Sequence, residues 1–135
     1  TALSAHALAL AASRACVTEV MPREAYVHML ALAEALAQHL RTVFARHGLP
    51  WPVTQGGARI EFVCGDRAPR NGTEARAAMQ GPLEQALHLF LINRGVLIAP
   101  FHNMMLVCPA TTAAQVEQLA GALDECLSTL IGTPA

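Results

Sequence analysis

The chain has 135 residues and no lysine: all nine of its basic residues are arginine. No side-chain amine is therefore present to form a Schiff base with a carbonyl compound. Charge of either sign is scarce, at 14% of residues, and nine basic against ten acidic residues leave a net charge of −1. With no basic run and no aromatic residues interleaved with one, the footprint of a nucleic-acid binder is missing. Long apolar runs are missing too. Runs such as Met104 to Cys108 fall far short of the roughly 18 or more residues that a spanning helix needs, so no membrane partner is expected. The alanine-rich beginning has no basic n-region and does not read as a signal peptide.

Clustered metal ligands are also lacking. The six histidines, His6, His28, His39, His47, His88 and His102, include no i, i+4 pair, and Cys16, Cys64, Cys108 and Cys126 are far apart. No metal site is expected from this spacing. Each cysteine falls in an apolar pattern, which reads as four buried free thiols in a reducing, cytoplasmic setting. Asn71-Gly72-Thr73 matches a glycosylation sequon in form, but without a secretory signal it reads as a turn.

What the chain does have is apolar surface. Hydrophobic residues make up 53% of a length that fits one domain, 1–135. A domain of this size can hide only part of that surplus, so some of it is expected at an interface. From Leu3 to Met21 the sequence is dense in alanine and leucine, with Ser4 placed to cap and Pro22 to stop, predicting a helix over 4–21 that is apolar nearly all round. Such a helix is buried or lies between two bodies. Pro22-Arg23 restarts a helix over 23–47, with Val27, Leu30, Leu36, Leu40, Val43 and Phe44 near a 3.6-residue period and Gly48 as its stop.

Leu49-Pro50-Trp51-Pro52 breaks that pattern, leaving 53–55 as a short edge strand before Gly56-Gly57. Alternation of Ala58, Ile60, Phe62 and Cys64 with Arg59, Glu61 and Val63 predicts a strand over 58–64. Residues 65–80 read as a polar exposed loop with one helical turn. Gly81-Pro82 opens a helix over 82–94 that Gly95 ends, and 96–99 and 104–108 read as strands joined through Pro100-Phe101-His102-Asn103. Thr112 with Gln115 forms a capping box for a last helix over 113–131, striped by Val116, Leu119, Leu123, Leu127 and Leu130. The fold class is α+β: a small antiparallel or mixed sheet with helices packed on one face.

Catalytic equipment is sparse. Ser4 lies near His6, but no oxyanion donor or nucleophile elbow surrounds it, so a helix cap is its simpler role. Cys108, at the end of an apolar strand with no nearby cation in sequence, reads as an inert packed thiol.

The run Asn93-Arg94-Gly95-Val96, with two further apolar residues and then Ala99-Pro100, resembles the C-terminal domain of class III pyridoxal-phosphate aminotransferases, especially the glutamate-1-semialdehyde aminomutase branch. Ser4 and His6 in the opening stretch, the strand Gly57-Ala58-Arg59-Ile60-Glu61-Phe62, and Thr111-Thr112 before the last helix are similar as well. The resemblance implies that the chain is the C-terminal fragment of a larger enzyme whose Schiff-base lysine and pyridine-holding residues lie upstream. In the family, an opening threonine reaches the cofactor phosphate of the neighbouring subunit. Here Thr1 stands one place before that position, Ala2 occupies it, Ser4 and His6 match the following pattern, and Ala5 and Ala7 replace a glycine and a proline. Thr1, Ser4 and His6 are therefore the implied cofactor-phosphate contacts. His102, Asn103 and Met104 fall in the loop that shapes the substrate site. That loop has no carboxylate-gripping arginine, and Asn103 stands roughly where the aminomutase branch has an acidic residue.

The resemblance further implies a domain that closes the active site and adds to a homodimer. Pyridoxal phosphate is held only in the full-length parent, the substrate is an amino acid or amine, and there is no catalytic residue in the fragment itself. The alternative is a free-standing α+β module that binds a ligand or regulates a partner. A third and weaker reading is a small hydrolase built on Cys108 or Ser4.

Overall fold

The computed structural model describes residues 6–79, 81–99 and 103–132. Helix α1, Ala7–Ala15, runs into a π-helical turn, Cys16–Val20. The widening follows from the residues there: the hydroxyl of Thr18 bonds back to the Arg14 carbonyl at 2.9 Å, and Met21 N–H reaches the Cys16 carbonyl five residues back. The cap of α1 is His6, whose Nδ1 accepts from Leu8 N–H, while Ser4 lies outside the described residues. No residue of α1 or of the π turn is buried. The first helix is thus a bare apolar arm, with Leu8 and Leu10 exposed alongside its alanines.

Pro22 starts α2, Arg23–Arg46, which ends at Gly48 with φ +65. There Leu49 N–H bonds the Phe44 carbonyl and Gly48 N–H the Ala45 carbonyl, a Schellman closure that glycine permits. The buried stripe is Met29, Ala33, Leu36, Ala37, Leu40, Val43 and Phe44. Val27 and Leu30, expected on that stripe, are exposed instead. Met29, between them in sequence, takes the core-facing place at this end of the helix.

Strands β1, Val53–Gly56, and β2, Arg59–Phe62, form a hairpin pairing Gly56 with Arg59, closed by Gly57 at φ +64. Residues 65–80 carry a short helix α3, Gly72–Ala77, capped by Asn71, whose side chain accepts from Glu74 N–H. Helix α4, Gly81–Ile92, ends at Gly95 in a second Schellman closure, Val96 N–H to Leu91 carbonyl. Strand β3, Met104–Leu106, pairs antiparallel with β2, giving the order β1-β2-β3. Helix α5, Ala113–Ile131, carries the expected Thr112–Gln115 capping box.

The expected strand over 96–99 is corrected to an extended segment joined to β3 by one bridge, Ala99 to Met104. Val96 and Ile98 are buried and Leu97 is exposed, so the strand alternation is real. The segment diverges from β3 before a second ladder bond forms, because its start is held by the α4 closure. The sheet is antiparallel throughout. Helix α2 packs on β1 and β2, and α5 on α2 and α4. The core centres on Phe44, Phe62, Leu40, Ile60, Leu87, Leu91, Leu123 and Leu127. Trp51 stacks on Phe62 and meets Phe44 edge-on, centroids 6.0 and 5.3 Å away.

Candidate functional site

The loop candidates of the sequence fall in the connection from Ala99 to Met104. Ala99 N–H bonds the Met104 carbonyl at 3.0 Å, bringing the two ends of that connection together. Asn103 stands at its exit with φ 43, the left-handed region that asparagine tolerates better than other residues bearing a Cβ. Its side chain turns inward: Asn103 is 3% exposed, and Nδ2 donates to the Phe62 carbonyl at 3.2 Å and approaches Cys64 Sγ at 3.9 Å. Burial, with the charge of Glu84, pushes the Cys64 thiol up to about 12, so it is a neutral acceptor there. Met104 is half-buried and Met105 buried, while His102 lies outside the described residues.

Beside Met104 the divergence of segment 95–99 from β3 opens a cleft of about 550 Å³. Val96, Leu97, Leu106, Val116 and Leu119 give it apolar walls, and Thr111, Gln115 and Gln118 supply its polar groups. No charged side chain is among its described lining residues, so it suits an apolar group better than an ion.

The Asn93-Arg94-Gly95 run, which carried the family resemblance, builds a corner. The Arg94 guanidinium forks onto Glu125 at 2.8 and 2.6 Å and lies 3.6 Å over the Phe90 ring, while Gln118 donates to the Arg94 carbonyl. That pairing holds the Glu125 carboxyl below the usual carboxylate range. Arg94 is therefore committed to joining α4 to α5. Glu125, 31 residues away, left no local signal in the sequence.

A second junction is equally invisible in the sequence. His47 Nε2 lies 2.7 Å from Asp124 Oδ1, and Arg46 pairs with the other carboxylate oxygen. Since the carboxylate only accepts, Nε2 carries the proton, and Nδ1 is buried with no partner. This cluster fastens the end of α2 to α5.

At the other end of the chain, His6 is exposed and occupied as the α1 cap, while Thr1 and Ser4 lie outside the described residues. Leu8, Leu10, Val17 and Val20 are all exposed, and so are Tyr26, Val27 and Leu30 on α2. Two of the cysteines also differ from expectation: Cys64 and Cys126 are buried, but Cys16 and Cys108 are exposed. Cys108 ends beyond β3 rather than within it, and its thiol is held below the ordinary value by the Thr111 hydroxyl and by backbone N–H groups. Among the described residues, no three His, Cys, Asp or Glu side chains group closely enough to hold a metal ion, and no helix is long and apolar enough to cross a membrane.

No protein-family model matches this chain, and no curated protein does either. Solved structures do. A glutamate-1-semialdehyde-aminomutase from Pseudomonas aeruginosa PAO1, a lysine-to-alanine variant in complex with PMP, matches with a TM-score of 0.87 at 51% identity over 92% of this chain and 27% of that one. A structure of a glutamate-1-semialdehyde-aminomutase from the same organism, without that substitution, gives 0.86 and 51% over 90% of this chain and 27% of its own. The chain thus spans about a quarter of the length of the structures it matches. Over nearly all its length, it corresponds in sequence and fold to a C-terminal domain of the glutamate-1-semialdehyde aminomutase type, within the class III pyridoxal-phosphate enzymes.

Proposed function

We propose that this chain, 1–135, is one domain that works with an upstream large domain holding pyridoxal phosphate, as part of a cytoplasmic, homodimeric aminotransferase or aminomutase acting on an amino acid or amine. The observation that carries this reading is the 51% identity and TM-score of 0.87 to an aminomutase whose structure contains PMP. The complete absence of lysine from a chain so similar to such an enzyme supports the division of labour. When bound to the large domain, the cofactor supplies the electron sink for amino transfer. This chain supplies shape. The turn that His102, Asn103 and Met104 belong to in sequence is assigned to shaping the substrate site, and the neighbouring cleft accepts an apolar part of the substrate.

The exposed arm from Leu8 to Val20 supplies apolar surface for the large domain or the neighbouring subunit. Thr1, Ser4 and His6 are assigned to the contact with the cofactor phosphate of that subunit. The free-standing ligand-binding or regulatory module is not favoured, since it gives no reason for a bare apolar helix. The test is sedimentation of the full-length protein carrying Leu8→Glu and Leu10→Glu. Loss of the dimer, or of bound cofactor, is the expected outcome. An unchanged dimer that retains its cofactor would remove the arm's role.

A further inference from the structure

We infer that Asn103 is a positioning residue: its buried side-chain amide, bonded to the Phe62 carbonyl, sets where the substrate-facing turn rejoins the sheet. This rests on the assignment of that turn to the substrate site given above.

The register of the sheet defines the problem that Asn103 solves. Val107 N–H bonds the Ala58 carbonyl at 3.0 Å, and β2 pairs Ile60 with Met105. Continuing the antiparallel alternation by two residues brings Phe62 opposite Asn103. The named strand ends one residue short of that, at Met104, because the backbone swings into the left-handed region at Asn103. The Phe62 carbonyl then receives an N–H from the Asn103 side chain. The amide extends the sheet by one bond while the main chain departs from it.

Three properties are needed together at this position. The residue must tolerate φ 43, must present an N–H to the Phe62 carbonyl, and must be small enough to remain 3% exposed. Asparagine has all three. Glycine has the conformational freedom and the small size but no side-chain donor. Aspartate keeps the shape and much of the freedom but sets an acceptor against an acceptor. Alanine lacks both the donor and the freedom.

Two consequences reach the site. Met104 follows Asn103 directly, and its carbonyl is the acceptor for Ala99 N–H, the bridge that joins the two ends of the connection. Met104 also lines the cleft. Freeing the Asn103 side chain therefore loosens the bridge and displaces one cleft wall, whereas the far end of β3, held by Val107, stays in place. Asn103 acts on the substrate through Met104 and does not touch it, since its side chain is turned into the domain.

Amide hydrogen exchange on the full-length protein tests the anchor, with Ala99 as reporter and Val107 as internal control. Asn103→Gly is expected to lower Ala99 protection about 5–10-fold, the worth of one hydrogen bond, with Val107 unchanged. Asn103→Asp should lower it at least as much, and if that variant does not fold, the glycine variant decides. In the full-length protein, Asn103→Gly is expected to raise KM for the amino substrate by a similar factor, with kcat and the absorption of the bound cofactor unchanged. Unchanged Ala99 protection, or equal losses at Ala99 and Val107, would overturn the proposal. So would a fall in kcat with KM and Ala99 protection intact, which marks direct contact with the reacting substrate. A wild-type full-length protein that transfers no amino group would overturn the functional reading instead, and the exchange measurement would still decide the anchor.

Discussion

Replacing Asp124 separates two kinds of stabilisation that share one carboxylate. The His47 side chain is 2% exposed and its Nδ1 has no partner, so Asp124 is the group that satisfies its buried ring. Asp124→Ala leaves both ring nitrogens unsatisfied, which costs about 1–3 kcal/mol for a buried polar group. The same substitution removes the Arg46 pair, but Arg46 is 59% exposed, so solvent limits that loss to roughly 0.2–1 kcal/mol. Asp124→Asn keeps an oxygen that can accept from Nε2 and loses only the charge. The expected order is a cost of about 2–3 kcal/mol for alanine and under about 1 kcal/mol for asparagine, from these two contributions. Urea unfolding followed by fluorescence of Trp51, the single tryptophan, and by far-UV circular dichroism reads both values. Equal costs for the two variants would refute this reasoning, showing that ion pairing, not hydrogen-bond satisfaction, holds α2 to α5.

The aromatic cluster gives a larger effect: Phe44 is 1% exposed and touches both Trp51 and Phe62, so Phe44→Ala should cost about 3–5 kcal/mol by urea titration. A cost below about 1 kcal/mol would contradict the packing. Among the thiols, Cys108 should alkylate readily in the native state, and Cys64 and Cys126 only on unfolding, as mass spectrometry of labelled peptides would read. Fast native labelling of Cys64 would refute its burial. Burial pushes Cys64 up to about 12 and Cys126 up to about 11, so the unfolded chain releases these protons at lower pH than the folded one. Their contribution is complete below the ordinary thiol value of about 8.5 and is lost as pH rises through the folded values. The urea midpoint should therefore fall between about pH 7.5 and about pH 10, and the doubly substituted Cys64→Ala, Cys126→Ala chain should fall less.

Local chemistry made much of this fold legible. Thr112 and Gln115 satisfy each other's backbone at the start of α5, and Gly48 and Gly95 end helices in conformations that glycine favours, so these boundaries could be read without tertiary information. The sheet was legible through the alternation of Ile60, Phe62 and Cys64. Segment 96–99 was less so, because its alternation is that of a strand while its pairing depends on the corner at Gly95. The exposed α1 arm was ambiguous for a different reason: alanine fits a buried or an open helix equally well. Val27 and Leu30 are apolar and near the period of α2, yet Met29 takes the core-facing place there and leaves both exposed.

The internal chemistry around Asn103 was not legible in the sequence. Nothing local distinguishes Asn103 in a surface turn from Asn103 turned inward to the Phe62 carbonyl, 41 residues away. The Arg94–Glu125 and His47–Asp124 pairs are likewise fixed by helix packing, at separations of 31 and 77 residues. Cys108 looked packed because its neighbours are apolar, yet it stands past the end of β3, where the chain turns out to solvent.

The most direct test of the central claim is a titration with pyridoxal phosphate of this chain alone and of the full-length protein that carries it, followed by borohydride reduction and mass spectrometry. The chain alone should leave the aldehyde absorption unshifted, with no reduced adduct on any side chain, while the full-length protein should bind one cofactor per subunit on a lysine outside residues 1–135. Stoichiometric binding by the chain alone, or a full-length protein that takes up no cofactor, would contradict the division of labour proposed for this domain.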